Sequence, residues 1–269
     1  MPSERRTDRR AVVILAVTAL ACGALLLVPP IHQDPGYHNL ADARALLGIP
    51  NCLNVVSNLA LLIVAALGID LLMRRPGRVD TSADRVPWML VFYGVLLTAL
   101  GSTWYHLTPN NSTLIWDRLP MTIAFMSLVT GIISARIGER AGRMLLGPLL
   151  IIGALSVFVW GWGERAGGVG DLRFYALVQF YPMVLIPLIL ILFAGPFPRL
   201  KDLGGVLGWY VLAKVAEVLD RQIYAVGEIV SGHTLKHLLA ALSILWVYRM
   251  LHAQPEKLYH LSGGREGEE

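Results

Sequence analysis

Charged side chains are scarce in this chain. Asp, Glu, Lys and Arg make up 16% of its 269 residues, against about 25% in a typical soluble domain. Hydrophobic residues make up 55%, which excludes an ordinary soluble domain and indicates that lipid is the solvent. The net charge of +4 does not indicate a nucleic-acid partner, because the basic residues lie between apolar runs, where they set membrane topology.

Cysteine is rare as well. Cys22 and Cys52 lie in or beside apolar runs and have no C-x-x-C spacing, so we expect neither a disulfide nor a thiolate metal site. Long polar segments are also lacking, apart from the tail 252–269, which leaves no room for a separate soluble domain.

Eight apolar stretches occupy most of the chain. Most are long enough, at 1.5 Å per helical residue, to cross a hydrocarbon core about 30 Å thick. They predict an all-α integral membrane protein with eight transmembrane helices. The stretches are 11–29, 51–73, 87–106, 119–137, 144–162, 174–193, 206–224 and 232–251.

Two of these stretches allow another interpretation. The first has a basic start and resembles a signal peptide, but its apolar run is long and ends without a clear cleavage site, so we expect an uncleaved helix. The seventh carries Lys214, Glu217 and Asp220 and could lie at the membrane interface. We favour a span, because otherwise the basic C-terminal segment would fall outside.

The distribution of basic residues supports this count. With the N-terminus inside, sixteen Lys and Arg residues fall on the inner side and five on the outer side. This asymmetry is typical of bacterial inner-membrane topology. It predicts a multi-pass plasma (inner) membrane protein with both termini in the cytoplasm.

A second pattern concerns polar residues at helix ends. The third stretch ends with Ser102 and His106 at i,i+4, Asp117 stands just before the fourth stretch, and the eighth opens with His233 and His237 at i,i+4. Each i,i+4 pair lies on one helix face. The alternation of spans places all five residues at outer ends, so three histidines, a carboxylate and a hydroxyl are expected to converge.

Three neutral imidazoles and a water form a typical catalytic zinc site. A carboxylate beside it can accept a proton from the water, and a hydroxyl can stabilise the developing oxyanion. Three alternatives remain open. Each histidine could simply bond to a neighbouring helix or to head groups, two of them could ligate haem, and Asp117 could be the N-cap of the fourth helix.

Other polar residues within spans also have two interpretations. Lys214 and Glu217 could form a structural ion pair, with Asp220 further along the same face, or all three could line a cavity. Asn54, Ser57 and Asn58 on the second stretch favour hydrogen bonds between helices.

The array Ser102-x-x-x-His106, Asp117 and His233-x-x-x-His237 resembles the CREST superfamily, which includes the alkaline ceramidases. The segment NVVSNL at 54–59 is similar to the first core helix of those enzymes. The resemblance implies a seven-helix core over 51–251. Residues 1–50 would hold a cytoplasmic basic N-terminus, an extra helix and an outer loop, and 252–269 would form a cytoplasmic tail.

The same resemblance implies that His106, His233 and His237 hold Zn²⁺, with Ser102 and Asp117 nearby. Alkaline ceramidases also bind calcium through an acidic segment whose last glutamate precedes the N-x-x-S-N stretch. Asn51 stands at that position here, and other candidates, Asp34, Asn39 and Asp42, have different spacing. This departure weighs against a calcium site and against ceramide as the particular substrate.

The leading hypothesis is therefore a zinc-dependent intramembrane hydrolase of lipid amides, with a membrane lipid as substrate. Asp117 would be the general base, Ser102 would bond the oxyanion or support the metal, and the loop 107–113 would form the water entrance. The alternatives are a lipid-sensing receptor-like protein of the same fold, and a transporter or channel that uses the charges of the seventh span.

The topology prediction can be tested with two reporter fusions. A reporter after Glu269 should be cytoplasmic and one inserted at 110–112 should be external, because an odd number of spans separates them. Protease protection or a compartment-specific reporter enzyme measures this. Reporters on the same side would contradict the topology and the expected convergence of the histidines.

Overall fold

The structure, a computed structural model, describes residues 2–75 and 82–255. Within these ranges the chain is helical and contains no strand, so the predicted all-α class is confirmed. A short 3₁₀ turn covers Pro35–His38. The α-helices are α1 (Pro2–Leu27), α2 (Cys52–Val56), α3 (Asn58–Arg74), α4 (Ser82–Leu107), α5 (Asn111–Arg136), α6 (Glu139–Gly167), α7 (Arg173–Phe180), α8 (Pro182–Leu192), α9 (Leu200–Val218), α10 (Asp220–Tyr224) and α11 (Gly232–His252).

Seven helical segments in the described ranges are long and apolar enough to cross a membrane. They correspond to seven of the eight predicted stretches, and they make this a multi-pass membrane protein. The segments are Arg9–Leu27, Cys52–Arg74, Arg85–Leu107, Asn111–Arg136, Glu139–Gly167, Arg173–Leu192 and Gly232–His252.

The stretch 206–224 is not among the seven. It forms the second half of α9 and the short α10, and the charges on Lys214 and Glu217 lower its hydropathy. Even so, α9 runs antiparallel along α11. The Ser243 hydroxyl donates to the Val206 carbonyl (2.8 Å) at one end, and Glu217 pairs with Lys236 at the other. An eighth span therefore stays a prediction.

Two predicted spans are interrupted. The second divides into α2 and α3 at Ser57. The sixth divides into α7 and α8 at Tyr181, before Pro182, which has no N–H to continue the helical bonding. Both breaks lie inside the apolar run, so hydropathy does not reveal them.

Helices α4 and α5 approach each other very closely. A Cβ atom at Gly101 would overlap the Trp116 carbonyl oxygen, and one at Gly94 would lie 2.7 Å from the Ala124 nitrogen. Small residues allow this approach, as is common in membrane bundles. The contact at Gly101 sets Ser102 and His106, on α4, against the first turns of α5.

The segment between α1 and α2 folds over the end of the bundle that carries the three histidines, called the histidine end below. The His38 ring bonds the Tyr105 hydroxyl (3.0 Å) and the Asn111 amide oxygen (2.8 Å). The Ala41 amide donates to the Asp220 carboxylate (3.0 Å). These bonds fasten the segment to α4, α5 and α10.

Helix α1 packs on the outside of α7 and α8. The Thr18 hydroxyl bonds the Tyr181 hydroxyl (2.6 Å), and Ile14 contacts the large apolar core formed by the other helices. Within the predicted tail 252–269, His252 ends α11, and residues 256–269 lie outside the described part of the chain.

We predict that Gly101→Ala destabilises the bundle, because the added methyl group must push the α5 backbone away from α4. Overpacking of this kind costs about 1–3 kcal/mol, which thermal unfolding in detergent would detect as a lower Tm. Gly147→Ala on α6 is the matched control, since nothing lies within 4 Å of its Cβ position. Equal stability of the two variants would contradict the close approach.

Candidate metal centre

Three histidines meet at the histidine end of the bundle. His106 lies in the last turn of α4, and His233 and His237 lie in the first two turns of α11. Their ring centroids are 4.8 to 5.1 Å apart. One ring nitrogen from each lies within 4.8 Å of the other two. The three buried side chains can therefore hold one metal ion.

The hydrogen bonding of His106 and His237 fits a metal ligand set, while the Nε2 atom of His233 lies 3.4 Å from the Lys236 ammonium group. His106 is fully buried, and neither of its ring nitrogens has a hydrogen-bond partner, a costly arrangement unless a metal takes one of them. The Nδ1 atom of His237 bonds the Ser57 hydroxyl (2.7 Å), which leaves its Nε2 free. A bond of this kind orients a ligating imidazole.

A second layer of polar residues holds the ligand helices. The Asn54 amide oxygen accepts bonds from Thr234 (2.9 Å) and Ser231 (3.3 Å) at the start of α11. These bonds and the one from Ser57 confirm the predicted links between helices. Asn58 instead donates to the Asn54 carbonyl within its own helical segment.

Two further residues fix the backbone of the ligands. The Asp220 carboxylate accepts the His233 backbone N–H (2.7 Å), and the Asn51 amide donates to the His106 carbonyl (2.8 Å). Asp220 thus anchors both the start of α11 and the segment between α1 and α2. The sequence pattern had instead placed it on one helix face with Lys214 and Glu217.

The donor set suits zinc. Imidazole nitrogen is a preferred zinc ligand, and three protein ligands with one open position are typical of catalytic zinc sites. The three rings converge on a single point. Haem ligation would require a planar macrocycle between two of them, and the centroid distances leave no room for it.

Asp117 and Ser102 line a cavity that His237 also lines, and Ser102 lies one helical turn from His106. Both side chains are buried, and the Ser102 hydroxyl donates a hydrogen bond to the Asp117 carboxylate. Asp117 is not the N-cap of α5. That position belongs to Asn110, whose amide oxygen accepts the N–H groups of Ser112 (2.9 Å) and Thr113 (3.0 Å). The cap interpretation is therefore wrong, and the carboxylate is free of that role.

Two cavities share part of their lining, and Asp117 is one of the shared residues. The first has a volume of about 130 Å³ and extends among apolar side chains of α3, α4, α5, α8, α9 and α11; Ser102, Lys236 and His237 also line it. We call it the apolar cavity. Its lining includes Leu61, Val95, Phe125, Leu128, Met183, Ile186, Val206, Leu207 and Ile244.

The second cavity is a polar chamber of about 480 Å³ at the histidine end. Its charged lining residues are Asp117, Arg118, Lys214, Glu217 and Lys236. Its other walls include residues from the segment before α2 and from α7. The loop 107–113, expected to form the water entrance, does not line it. Polar side chains of that loop are used instead to cap α5.

Glu217 is the common partner of the two lysines in the chamber. It pairs with Lys214 and, at 2.7 Å, with Lys236, and it accepts the Tyr37 hydroxyl at 3.0 Å. Burial and the neighbouring Glu217 carboxylate raise the pKa of Tyr37 well above its usual value, so Tyr37 remains a hydrogen-bond donor. The predicted pair is thus both an ion pair and a cavity wall.

Two of the remaining calcium candidates, Asp42 and Asp34, have their own partners. Asp42 receives two side-chain bonds from Arg44, each 2.8 Å long, and these bonds hold the pKa of Asp42 below its usual value. Asp34 accepts the Gly36 N–H (2.8 Å) within the 3₁₀ turn.

Sequence reasoning missed three residues of the chamber: Tyr37, Arg118 and Lys236. Arg118 adjoins Asp117, and Lys236 stands between the two histidines of α11. Arg118 and Lys236 are both charged residues inside an otherwise apolar pattern, and this is the signal that could have identified them. Tyr37 carries no such signal, because only tertiary folding brings the segment between α1 and α2 over the chamber.

Comparisons of the chain with protein-family models, with curated proteins and with solved structures return no match. The resemblance to the CREST superfamily therefore rests on the residues quoted above, and the metal centre rests on its own geometry.

We predict about one zinc ion per chain in purified protein. His106→Ala, His233→Ala and His237→Ala should each lower the zinc content, since each removes one of three ligands. Ser57→Ala should weaken zinc affinity about 10–100-fold through the His237 ring. Elemental analysis and competition with a chromophoric chelator measure both effects.

His252→Ala is the matched control, because His252 lies at the opposite end of α11 from the other two histidines. Its zinc content should equal that of the unmodified protein. Undiminished zinc in the triple His→Ala variant would show that the ion binds elsewhere.

Proposed function

We propose that this protein is a zinc-dependent intramembrane hydrolase that cleaves amide bonds of lipids, similar to an alkaline ceramidase. The supporting observation is the position of Asp117. Its carboxylate accepts a hydrogen bond from Ser102, one helical turn from His106, and it lines both the apolar cavity, which His237 also lines, and the polar chamber.

The two cavities match the two parts of a lipid amide. An acyl chain is suited to the apolar cavity, and a head group with its water is suited to the chamber. The scissile bond then lies between them, next to Ser102, Asp117 and the histidines. His106, His233 and His237 would hold the zinc ion. When bound, such an ion polarises a carbonyl group and lowers the pKa of a water to about 7.

The residues of the chain supply the proton transfers. Asp117 accepts a proton from the attacking water as the water oxygen bonds to the carbonyl carbon. It then donates that proton to the amide nitrogen as the C–N bond breaks, which yields a carboxylic acid and an amine. Ser102 donates a hydrogen bond to the carbonyl oxygen as that oxygen gains negative charge.

The proposed orientation follows from the basic residues. With the termini in the cytoplasm of an inner membrane, the histidine end faces outwards. The chamber, lined by the segment before α2, then opens towards the aqueous side, and the apolar cavity lies at the depth of the acyl chains.

The receptor-like alternative shares this fold and this metal centre, and only turnover separates it from the hydrolase. The transporter alternative has less support. Lys214, Glu217 and Lys236 are paired with one another at one end of the bundle, and the cavity beyond them is mostly apolar.

We predict that Asp117→Asn lowers the hydrolysis rate of a lipid amide by about 10²–10⁴-fold, because it removes a positioned base. Ser102→Ala should cost about 10²–10³-fold through loss of the oxyanion donor. Both variants should keep their zinc and most of their thermal stability. Mass spectrometry of the released fatty acid measures the rate.

Asp70→Asn and Ser156→Ala are the matched controls. Asp70 is an exposed partner of Arg74 on α3, and Ser156 is buried but bonds the Gly153 carbonyl within α6. Both should retain full activity. A fully active Asp117→Asn protein would refute the catalytic role, and loss of zinc from that variant would move Asp117 into the ligand set.

A further inference from the structure

The polar chamber has an excess of positive charge. Its lining includes three cationic side chains, Arg118, Lys214 and Lys236. It includes only two carboxylates, Asp117 and Glu217. Glu217 alone pairs with both lysines, so two ammonium groups share one carboxylate. A buried charge is costly unless it is paired and hydrogen-bonded.

Arg118 is the least satisfied of the three cations. Its side chain is 92% buried, and its Nη1 has no hydrogen-bond partner. Its Nη2 donates to the neutral Gln33 amide oxygen (2.7 Å), and no carboxylate of the described residues forms an ion pair with it.

Aromatic rings hold the Arg118 guanidinium in place. It lies 4.5 Å from the ring centroid of Trp160 and 5.1 Å from that of Tyr175. Cation–π contacts are worth about 0.5–2 kcal/mol, but they supply no acceptor for the free N–H groups. Arg118 is therefore a cation held on the chamber wall, and a guanidinium group is suited to bind carboxylate and phosphate oxygens.

We propose that the chamber binds an acidic group on the head of the lipid, so that the substrates are N-acyl amines whose amine part carries a carboxylate or a phosphate. This proposal rests on the proposed hydrolase function and narrows its substrate class. Arg118 and Lys214 bind the acidic group. The acyl chain occupies the apolar cavity, and the amide bond lies between them beside Asp117.

The charges could instead serve stability alone. In that case, removing one of them would lower the Tm but would not change the relative affinity for charged and neutral lipids. The ratio of the affinities for a charged and a neutral lipid with the same acyl chain therefore distinguishes a binding role from a structural role.

The test uses the zinc-loaded full chain in a neutral detergent and three ligands with the same acyl chain. N-lauroylglycine and N-lauroyl-phosphoethanolamine are anionic, and N-lauroylethanolamine is neutral. Equilibrium binding is measured in the Asp117→Asn background, which blocks turnover, and hydrolysis is measured separately in the unmodified protein. We expect at least one anionic ligand to bind about tenfold or more tighter than the neutral one.

Arg118→Gln and Lys214→Gln should each reduce the preference for the anionic over the neutral ligand severalfold. Arg118→Lys should retain part of this preference. The matched control is Arg221→Gln, which removes the same charge at an exposed position of α10 outside the chamber, and it should leave the preference unchanged. Lys214 is partly exposed, so its variant remains informative if Arg118→Gln fails to fold.

Equal binding of anionic and neutral ligands, or a preference that survives both Gln variants, would overturn the proposal. N-acetylglycine has the carboxylate without the chain, and binding as tight as that of N-lauroylglycine would show that the chamber takes a free anion instead of a lipid head group. Selective, Arg118-dependent binding without hydrolysis of any ligand would support the acidic head-group site and refute the hydrolase.

Discussion

Lipid offers no hydrogen-bond partner to a polar side chain, so the buried polar groups of this bundle depend on partners within the protein. Many of them lie at the histidine end. Asn54 supports the start of α11, Ser57 orients His237, and Glu217 pairs with two lysines. Several buried side-chain atoms of the described residues keep no partner, and those of His106 and Arg118 lie at the metal centre and on the chamber wall.

Close helix packing gives this polar end its geometry. Without a side chain at Gly101, α4 can approach the α5 backbone near Trp116, so Ser102 and His106 face the turn that carries Asp117. On the opposite side, Gly232 lets the start of α11 lie against the Ala216 carbonyl of α9. The ligands come from two helices far apart in sequence, and a glycine lets each of these helices pack closely on a neighbour, α5 or α9.

Much of this arrangement could be predicted from the sequence. Apolar run length identifies the helices, and the i,i+4 spacings identify which face of α4 and of α11 carries the histidines, because both signals are local. The breaks at Ser57 and Tyr181, the role of Asp220 and the closure of the chamber by Tyr37 could not be predicted. The two breaks lie inside apolar runs, where hydropathy does not reveal them. The other two features depend on contacts with distant segments, such as Tyr37 with Glu217, and distant contacts leave no periodicity in the chain.

The meeting of an apolar and a polar cavity at one carboxylate also bears on the direction of the proposed reaction. Cleavage at that junction leaves the fatty acid among apolar walls, from which it can enter the hydrocarbon phase, and leaves the amine in a chamber that leads to water. The two products then partition into different phases. Resynthesis would require both products to return to the site at once, so their separation into two phases would slow the reverse reaction.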